Sequence, residues 1–347
     1  MKKLSYIFIF LLYSSLSFGQ QIAKTDTIKE YLGLVKWLTI EEAQEKYKQQ
    51  PKPIMIDMYT DWCGWCKHMM KNTFSNPGLA SYINSNFYPV RFNAETRDTI
   101  IWRGEKFVNQ GTGKRSTHDL TFKLMGTKLS YPTTIFINNN YQFALNVPGY
   151  LEVKKIEPFL IYTLENIFTT TSIQDFQKYF GIAFPDSVKK DTTSVKWMKF
   201  QQALYKAKAE NKKILVNTYT DWCNGCRVMN EAVYKDSAIA AYINKNYVAV
   251  NFNAQGNDTV VLNGNLYTRP AQQAFHPLAL SLSQNKLTLP TLFVLDSDGK
   301  LIGPAPMFMV PDVLMPVLKY FNEDKYKTGN WNDYYKEYKK NRELEIK

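Results

Sequence analysis

Two runs of the chain repeat the same order of apolar and polar rhythms. In the first, "TIEEAQEKYKQQ" from Thr39 carries charges of alternating sign and reads as a helix. "PIMIDMYT" from Pro53 is an almost unbroken apolar run of strand length, so it reads as a buried strand with one charge, Asp57, inside it. "FYPVRFNA" from Phe87 reads as a second strand, and "TIIWRGEKFVNQ" from Thr99 as a hairpin centred on Gly104. A helix beginning near His118, the strand "PTTIFINNN" from Pro132 and a closing helix complete the unit. The second run gives the same series: "FQQALYKAKAEN", "KILVNTYT", "YVAVNFNA", "TVVLNGNLYTRP" and "PTLFVLDSDGK". Strand, helix and strand followed by hairpin and helix is an α/β arrangement.

The second series is a copy of the first. Displaced by 160 positions, "YTDWCGWCKHMM" at Tyr59 meets "YTDWCNGCRVMN" at Tyr219, and "SYINSNFYPVRFNAE" at Ser81 meets "AYINKNYVAVNFNAQ" at Ala241. After a slip of two residues "HDLTFKL" at His118 meets "HPLALSL" at His276, and "YPTTIFI" at Tyr131 meets "LPTLFVL" at Leu289. The likeness extends to "IQDFQKYF" at Ile173 and "WNDYYKEY" at Trp331. Two domains of one fold are expected, 27–182 and 194–347, joined by a linker over 183–193 rich in Pro, Ser, Thr and Lys.

The 347 residues suffice for two domains with separate cores, and 45% hydrophobic with 21% charged residues is a globular composition. Residues 1–19 have a basic start, a short apolar run and a small-x-small pair at Ser17 and Gly19, the pattern of a cleaved secretory signal. That apolar run is too short to span a bilayer comfortably, so no stable membrane insertion is expected after cleavage, and a periplasmic or secreted location follows. The net charge of +12 is scattered among Asp and Glu without a long basic run. A solvated basic surface explains it, and export argues against nucleic acid as a partner.

All four cysteines lie in the two repeated motifs, as Cys63-x-x-Cys66 and Cys223-x-x-Cys226. A structural bridge over so short a loop constrains the unfolded chain little. Two such pairs can build a tetrahedral zinc site, but each pair sits within its own repeat, and a two-thiolate site for Cu(I) stays open. A redox reading explains the spacing best. The first cysteine at the start of a helix faces free amides that stabilise its thiolate, and the second, a turn later, is placed to resolve a mixed disulfide.

With "DWCGWCK" and "DWCNGCR" after a strand, and "YPT" or "LPT" before a later strand, the chain resembles the thioredoxin superfamily over nearly all of both repeats. The nearest likeness is to exported members whose motif begins Asp-Trp-Cys. The resemblance implies two tandem thioredoxin-like domains, each a central mixed sheet flanked by helices, with Pro132 and Pro290 in cis beside the cysteines and the hairpin as an extra element. It implies Cys63 and Cys223 as nucleophiles and Cys66 and Cys226 as resolving thiols. A bound substrate would pair its backbone with Tyr131 or Leu289. Trp62 and Trp222 would cover the sulfurs, the alternative being ordinary core aromatics.

The two copies differ at the chemistry. Asp57 matches the family's buried acid, its pKa raised by desolvation, able to take the proton from Cys66; Arg91 matches a basic residue on the adjacent strand. The second copy has Asn217 and Asn251 there, which cannot titrate. Gly149 matches a family glycine that lets substrate backbone approach, and Met307 aligns with it in the second copy. His118 and His276 either stabilise thiolate or cap and pack their helices; His68 is placed on an exposed helix face. "GTGKRST" at Gly111 lacks the full phosphate-loop spacing and reads as a mobile loop.

These residues together lead to the expectation of an exported thiol–disulfide oxidoreductase, a reductase with the first domain the more competent. The competing readings are an oxidase or isomerase, and a non-catalytic metal carrier or adaptor. Electrons travel as dithiol, so no dissociable cofactor is needed. The expected partners are exported proteins with disulfides or thiols and a membrane thiol donor, or an oxidant.

Overall fold

A computed structural model describes residues 33–185 and 194–345. The expected export signal at 1–19 and most of the expected linker lie outside the described residues.

The first region runs α1 (Ile40–Gln49), β1 (Ile54–Tyr59), α2 (Gly64–Asn72), α3 (Pro77–Asn86), β2 (Tyr88–Asn93), β3 (Ile100–Trp102), β4 (Glu105–Phe107), α4 (Asp119–Met125), β5 (Thr133–Ile137), β6 (Ala144–Pro148), α5 (Val153–Leu164) and α6 (Ile173–Ala183). Its sheet has the order β2-β1-β5-β6, with β1 parallel to β2 and antiparallel to β5. As a central strand covered on both faces, β1 is apolar throughout except at Asp57. The helix boundaries are set locally. Thr39 and Glu42 form a reciprocal capping box on α1, and Asn76 caps α3 ahead of Pro77.

The second region repeats the plan with β7 (Trp197–Met198), α7 (Phe200–Glu210), β8 (Lys213–Tyr219), α8 (Asn224–Val228), α9 (Ser237–Asn246), β9 (Tyr247–Asn253), β10 (Val260–Leu262), β11 (Asn265–Tyr267), α10 (Pro277–Leu282), β12 (Thr291–Leu295), β13 (Leu301–Pro306), α11 (Pro311–Asn322) and α12 (Trp331–Glu345). Its sheet order is β13-β12-β8-β9-β7. The short strand β7 corresponds to a single bridge between Leu38 and Val90 in the first region. One π-helical turn, Met229–Val233, extends α8.

Both expected hairpins form. Arg103 and Gly104, then Asn263 and Gly264, have positive φ at the two turn positions, as a type I′ connection requires. Both proline bonds, Tyr131–Pro132 and Leu289–Pro290, are cis. The "GTGKRST" segment, expected to be mobile, is instead tied back: the Arg97 guanidinium donates to the carbonyls of Gly111 and Gly113, and the Ser116 hydroxyl donates to Gly113 at 3.0 Å.

Each sheet is packed by apolar side chains on both faces, but the cores do not divide where the sequence repeat does. From α6, counted with 27–182, Phe176 and Phe180 enter the cluster built from Val228, Met229, Val233 and Phe308 of the second region. Phe176 is fully buried and meets Phe308 edge-on at 5.3 Å. Phe176→Ala should therefore cost about 3–5 kcal/mol, seen as a lower urea midpoint; a cost below about 1 kcal/mol would mean that α6 is not anchored there.

Candidate functional site

The first cysteine pair sits where β1 hands over to α2. Cys63 is the N-cap of α2, and its Sγ accepts the Cys66 amide at 3.0 Å while the two sulfurs are joined as a disulfide. Cis Pro132 follows Tyr131; its carbonyl receives the Gly149 amide at 2.8 Å, and Gly149 has φ 94° with open space at its Cα. Trp62 is half exposed, so it is not a core aromatic. Its Nε1 donates to Glu95 at 2.9 Å, its ring meets Tyr131 edge-on at 6.2 Å, and the Arg115 guanidinium lies 5.0 Å over it. Burial, then the Glu95 charge, pushes the Tyr131 phenol up. Trp65, exposed, joins exposed His68 and Tyr150 at ring distances of 5.5 and 5.6 Å, giving this mouth an aromatic rim.

Behind the pair, Asp57 and Arg91 are cross-strand neighbours in the β1–β2 register. Both side chains are buried, with Arg91 Nε 3.8 Å from Asp57 Oδ2 and the guanidinium 3.8 Å above the Tyr59 ring. Parallel pairing fixes this meeting, since every other residue of β1 turns to the same face.

The second pair has the same backbone frame. Cys223 caps α8, its Sγ accepts the Cys226 amide at 3.1 Å, and the two form a disulfide. Trp222 is again half exposed and donates to Gln255 at 3.0 Å. Leu289 lines the same groove as Cys223, next to cis Pro290. Met307 occupies the Gly149 place: its amide donates to the Pro290 carbonyl at 2.8 Å with φ 79°. A side chain in this left-handed region is strained, and here it fills space that is open beside Gly149.

The buried polar pair is rebuilt as an amide cluster. Asn217 Nδ2 donates to Asn251 Oδ1 at 2.8 Å and to Asn230 Oδ1 at 3.1 Å, and the Tyr234 hydroxyl donates to Asn217 Oδ1 at 3.1 Å. At the matching places the first region has Asp57, Arg91, Met70 and Phe74. Exchanging an ion pair for neutral groups thus came with two new polar side chains that satisfy them. The sequence comparison identified Asn217 and Asn251 but missed Asn230 and Tyr234, which are aligned with Met70 and Phe74 and are visible as polar substitutions within an apolar helix.

His118 and His276 are helix caps. Each Nδ1 accepts an amide two residues on, at 3.1 Å, and each Nε2 faces a carbonyl, Asp98 at 3.0 Å and Asp258 at 2.8 Å. With Nδ1 accepting an amide and Nε2 against a carbonyl, both ring nitrogens of each histidine are taken up by backbone groups.

Comparison with known proteins agrees with this frame. Residues 40–164 match the family model "Thioredoxin-like domain", and 186–290 match a model described as "Protein of unknown function, DUF255". A stretch of 55 residues is 38% identical to the thiol:disulfide interchange protein DsbD of Vibrio vulnificus, covering 15% of this chain and 9% of that one. The chain therefore spans under a tenth of that relative. Among solved structures, it is similar to a thioredoxin-fold protein from Helicobacter pylori (19% identity, 38% of this chain and 81% of that one, TM-score 0.29). It is also similar to a putative disulphide-isomerase from Bacteroides thetaiotaomicron (23% identity, 38% and 95%, TM-score 0.28). The class the fold defines is that of thioredoxin-like domains, here with a disulfide-bonded Cys-x-x-Cys pair in each region. Residues 40–164 match a thioredoxin-like domain, and the chain carries two thioredoxin-like regions.

Removing the phenol hydroxyl in Tyr234→Phe leaves Asn217 Oδ1 short of a buried donor. That change should cost about 1–2 kcal/mol by chemical denaturation and leave the first disulfide's potential unchanged. An unchanged denaturation midpoint would mean that the amide cluster holds without Tyr234.

Proposed function

We propose that this chain is an exported reductase of protein disulfides, with its cysteine pairs on two domains, 27–182 and 194–347, released by cleavage after residue 19. Cys63, as thiolate, attacks a substrate disulfide, forming a mixed disulfide and releasing one substrate thiol. Cys66 then gives up its proton to Asp57 and attacks Cys63 Sγ. The substrate leaves as a dithiol with two electrons, and the Cys63–Cys66 disulfide is left behind. A membrane thiol donor of the kind that serves DsbD-like relatives restores the dithiol.

The observation that carries this reading is the buried Asp57, held against Arg91 on the strand that delivers Cys63. Among the described residues no helix is long and apolar enough to cross a membrane. Substrate backbone pairs beside cis Pro132 at Tyr131, and beside Pro290 at Leu289, in the manner of an added strand. At the first mouth Trp62, Trp65 and Arg115 select an aromatic or acidic flank. Asn217 supplies no titrating group to the second pair, so the first domain is the faster of the two.

Glutathione titration of variants that keep one cysteine pair checks the direction. Values near or below about −230 mV for both pairs are expected, and about −120 to −180 mV would instead favour an oxidase or isomerase. Stopped-flow reduction of a disulfide substrate tests the roles. Cys63→Ser should abolish turnover in a protein lacking the second pair, and Asp57→Asn should slow release of the mixed disulfide about 10²-fold. An Asp57→Asn protein that turns over at the wild-type rate would remove Asp57 from the mechanism.

A further inference from the structure

The second disulfide does not stand alone. Glu165, the residue that ends α5 in the first region, reaches across to the turn between Cys223 and Cys226. Its Oε1 accepts the Asn224 amide at 3.0 Å and its Oε2 accepts the Gly225 amide at 2.7 Å. These are the two amides between the cysteines. Among the described residues no carboxylate takes the matching amides of the first site, where the residue matching Gly225 is Trp65, exposed on the rim.

The fit is built from both sides. A Cβ added at Gly225 would come within 2.4 Å of Glu165 Oε2, so the glycine is what admits the carboxylate. Glu165 and Cys223 line one groove of about 780 Å³ with Tyr82, Trp222, Leu289 and Met307. Behind it, Ile167 and Phe176 pin the end of α5 to the second region's core.

We propose that Glu165 is a positioning residue of the second cysteine pair, which lowers its reduction potential by occupying the Asn224 and Gly225 amides and setting a negative charge beside Cys223. The proposal rests on the reading that this pair exchanges with thiols. Reduction by glutathione converts one protein disulfide and two glutathione thiols into two protein thiols and one glutathione disulfide. One of the protein thiols, Cys223, then sheds its proton to become the attacking thiolate. Amides facing a sulfur stabilise that thiolate and make a disulfide more oxidising. Amides committed to a carboxylate do the opposite, and the carboxylate charge adds repulsion.

Burial pushes Glu165 up to about 7, with the two amide bonds opposing that shift. The charge is therefore present above neutral pH and lost below it. Tyr82 from α3 lines the same groove, its phenol pushed up by burial and then by Glu165, and Glu157 on α5, raised by burial, acts on that same phenol. Neither Tyr82 nor Glu157 supplies a positive charge to cancel that of Glu165.

The full chain carrying Cys63→Ser and Cys66→Ser, titrated with glutathione, tests this. At pH 8, Glu165→Gln should shift the equilibrium about tenfold toward the reduced form, equivalent to ~30 mV. At pH 5.5, where the wild-type carboxyl is neutral, the two proteins should agree within about twofold. Gly225→Ala, which displaces the carboxylate without removing it, should shift the same way at pH 8 and covers the case in which the Gln variant fails to fold. Alkylation of Cys223 should show a lower thiol pKa in both variants. Equal potentials at pH 8, or an equal shift at both pH values, would overturn the role of Glu165 alone. A pair that glutathione cannot reduce in any of these proteins would overturn both this role and the reading beneath it.

Discussion

A strand covered on both faces has no water to offer a polar side chain, so whatever polar group it carries must be satisfied inside the protein. Both sheets place such a strand directly before a redox disulfide, and both carry a polar group on it at the same register position. One answer is a carboxylate against a guanidinium that also covers Tyr59. The other is three amides and a phenol, with no formal charge. The sheet order, the capping cysteines and the cis prolines are shared, so the difference between the sites lies in what that buried position asks of its neighbours.

That contrast gives the two regions different chemistry on one scaffold. The first region has a buried carboxylate paired with Arg91 on the strand before its cysteines and exposed Trp65 and His68 beside them, with open space at Gly149. The second has neutral amides behind it, Met307 in the place of the glycine, and a carboxylate borrowed from the other region on its turn. One arrangement leaves open space at Gly149; the other has Met307 and Glu165 lining its groove.

Local patterns in the sequence carried most of the fold. The strands β1 and β8 were legible because fully buried strands read as apolar runs, and both hairpins because Arg-Gly and Asn-Gly fit a turn with two positive φ values. The cysteines, Asp57 and the proline positions followed from spacing and family likeness. The tether on the "GTGKRST" segment was not legible, because Arg97 reaches it across intervening chain. Glu165 was not legible either: it lies 59 residues before Asn224 in sequence, and no periodicity connects a helix end in one repeat to a turn in the other. Gly225 was a clue in retrospect, since a glycine stands where the other copy has tryptophan. The docking of α6 escaped for the same reason, because its aromatic face suits either core equally.

The placement of α6 has a consequence for biogenesis. Its sequence belongs with the first half, but Phe176 and Phe180 find part of their cover in residues made later, such as Val228 and Phe308. During synthesis the first half emerges and collapses before those residues exist. For that interval Phe176 has Tyr162 of α5 on one side, while the face that later meets Phe308 stays uncovered, so the helix cannot complete its packing before the second half arrives.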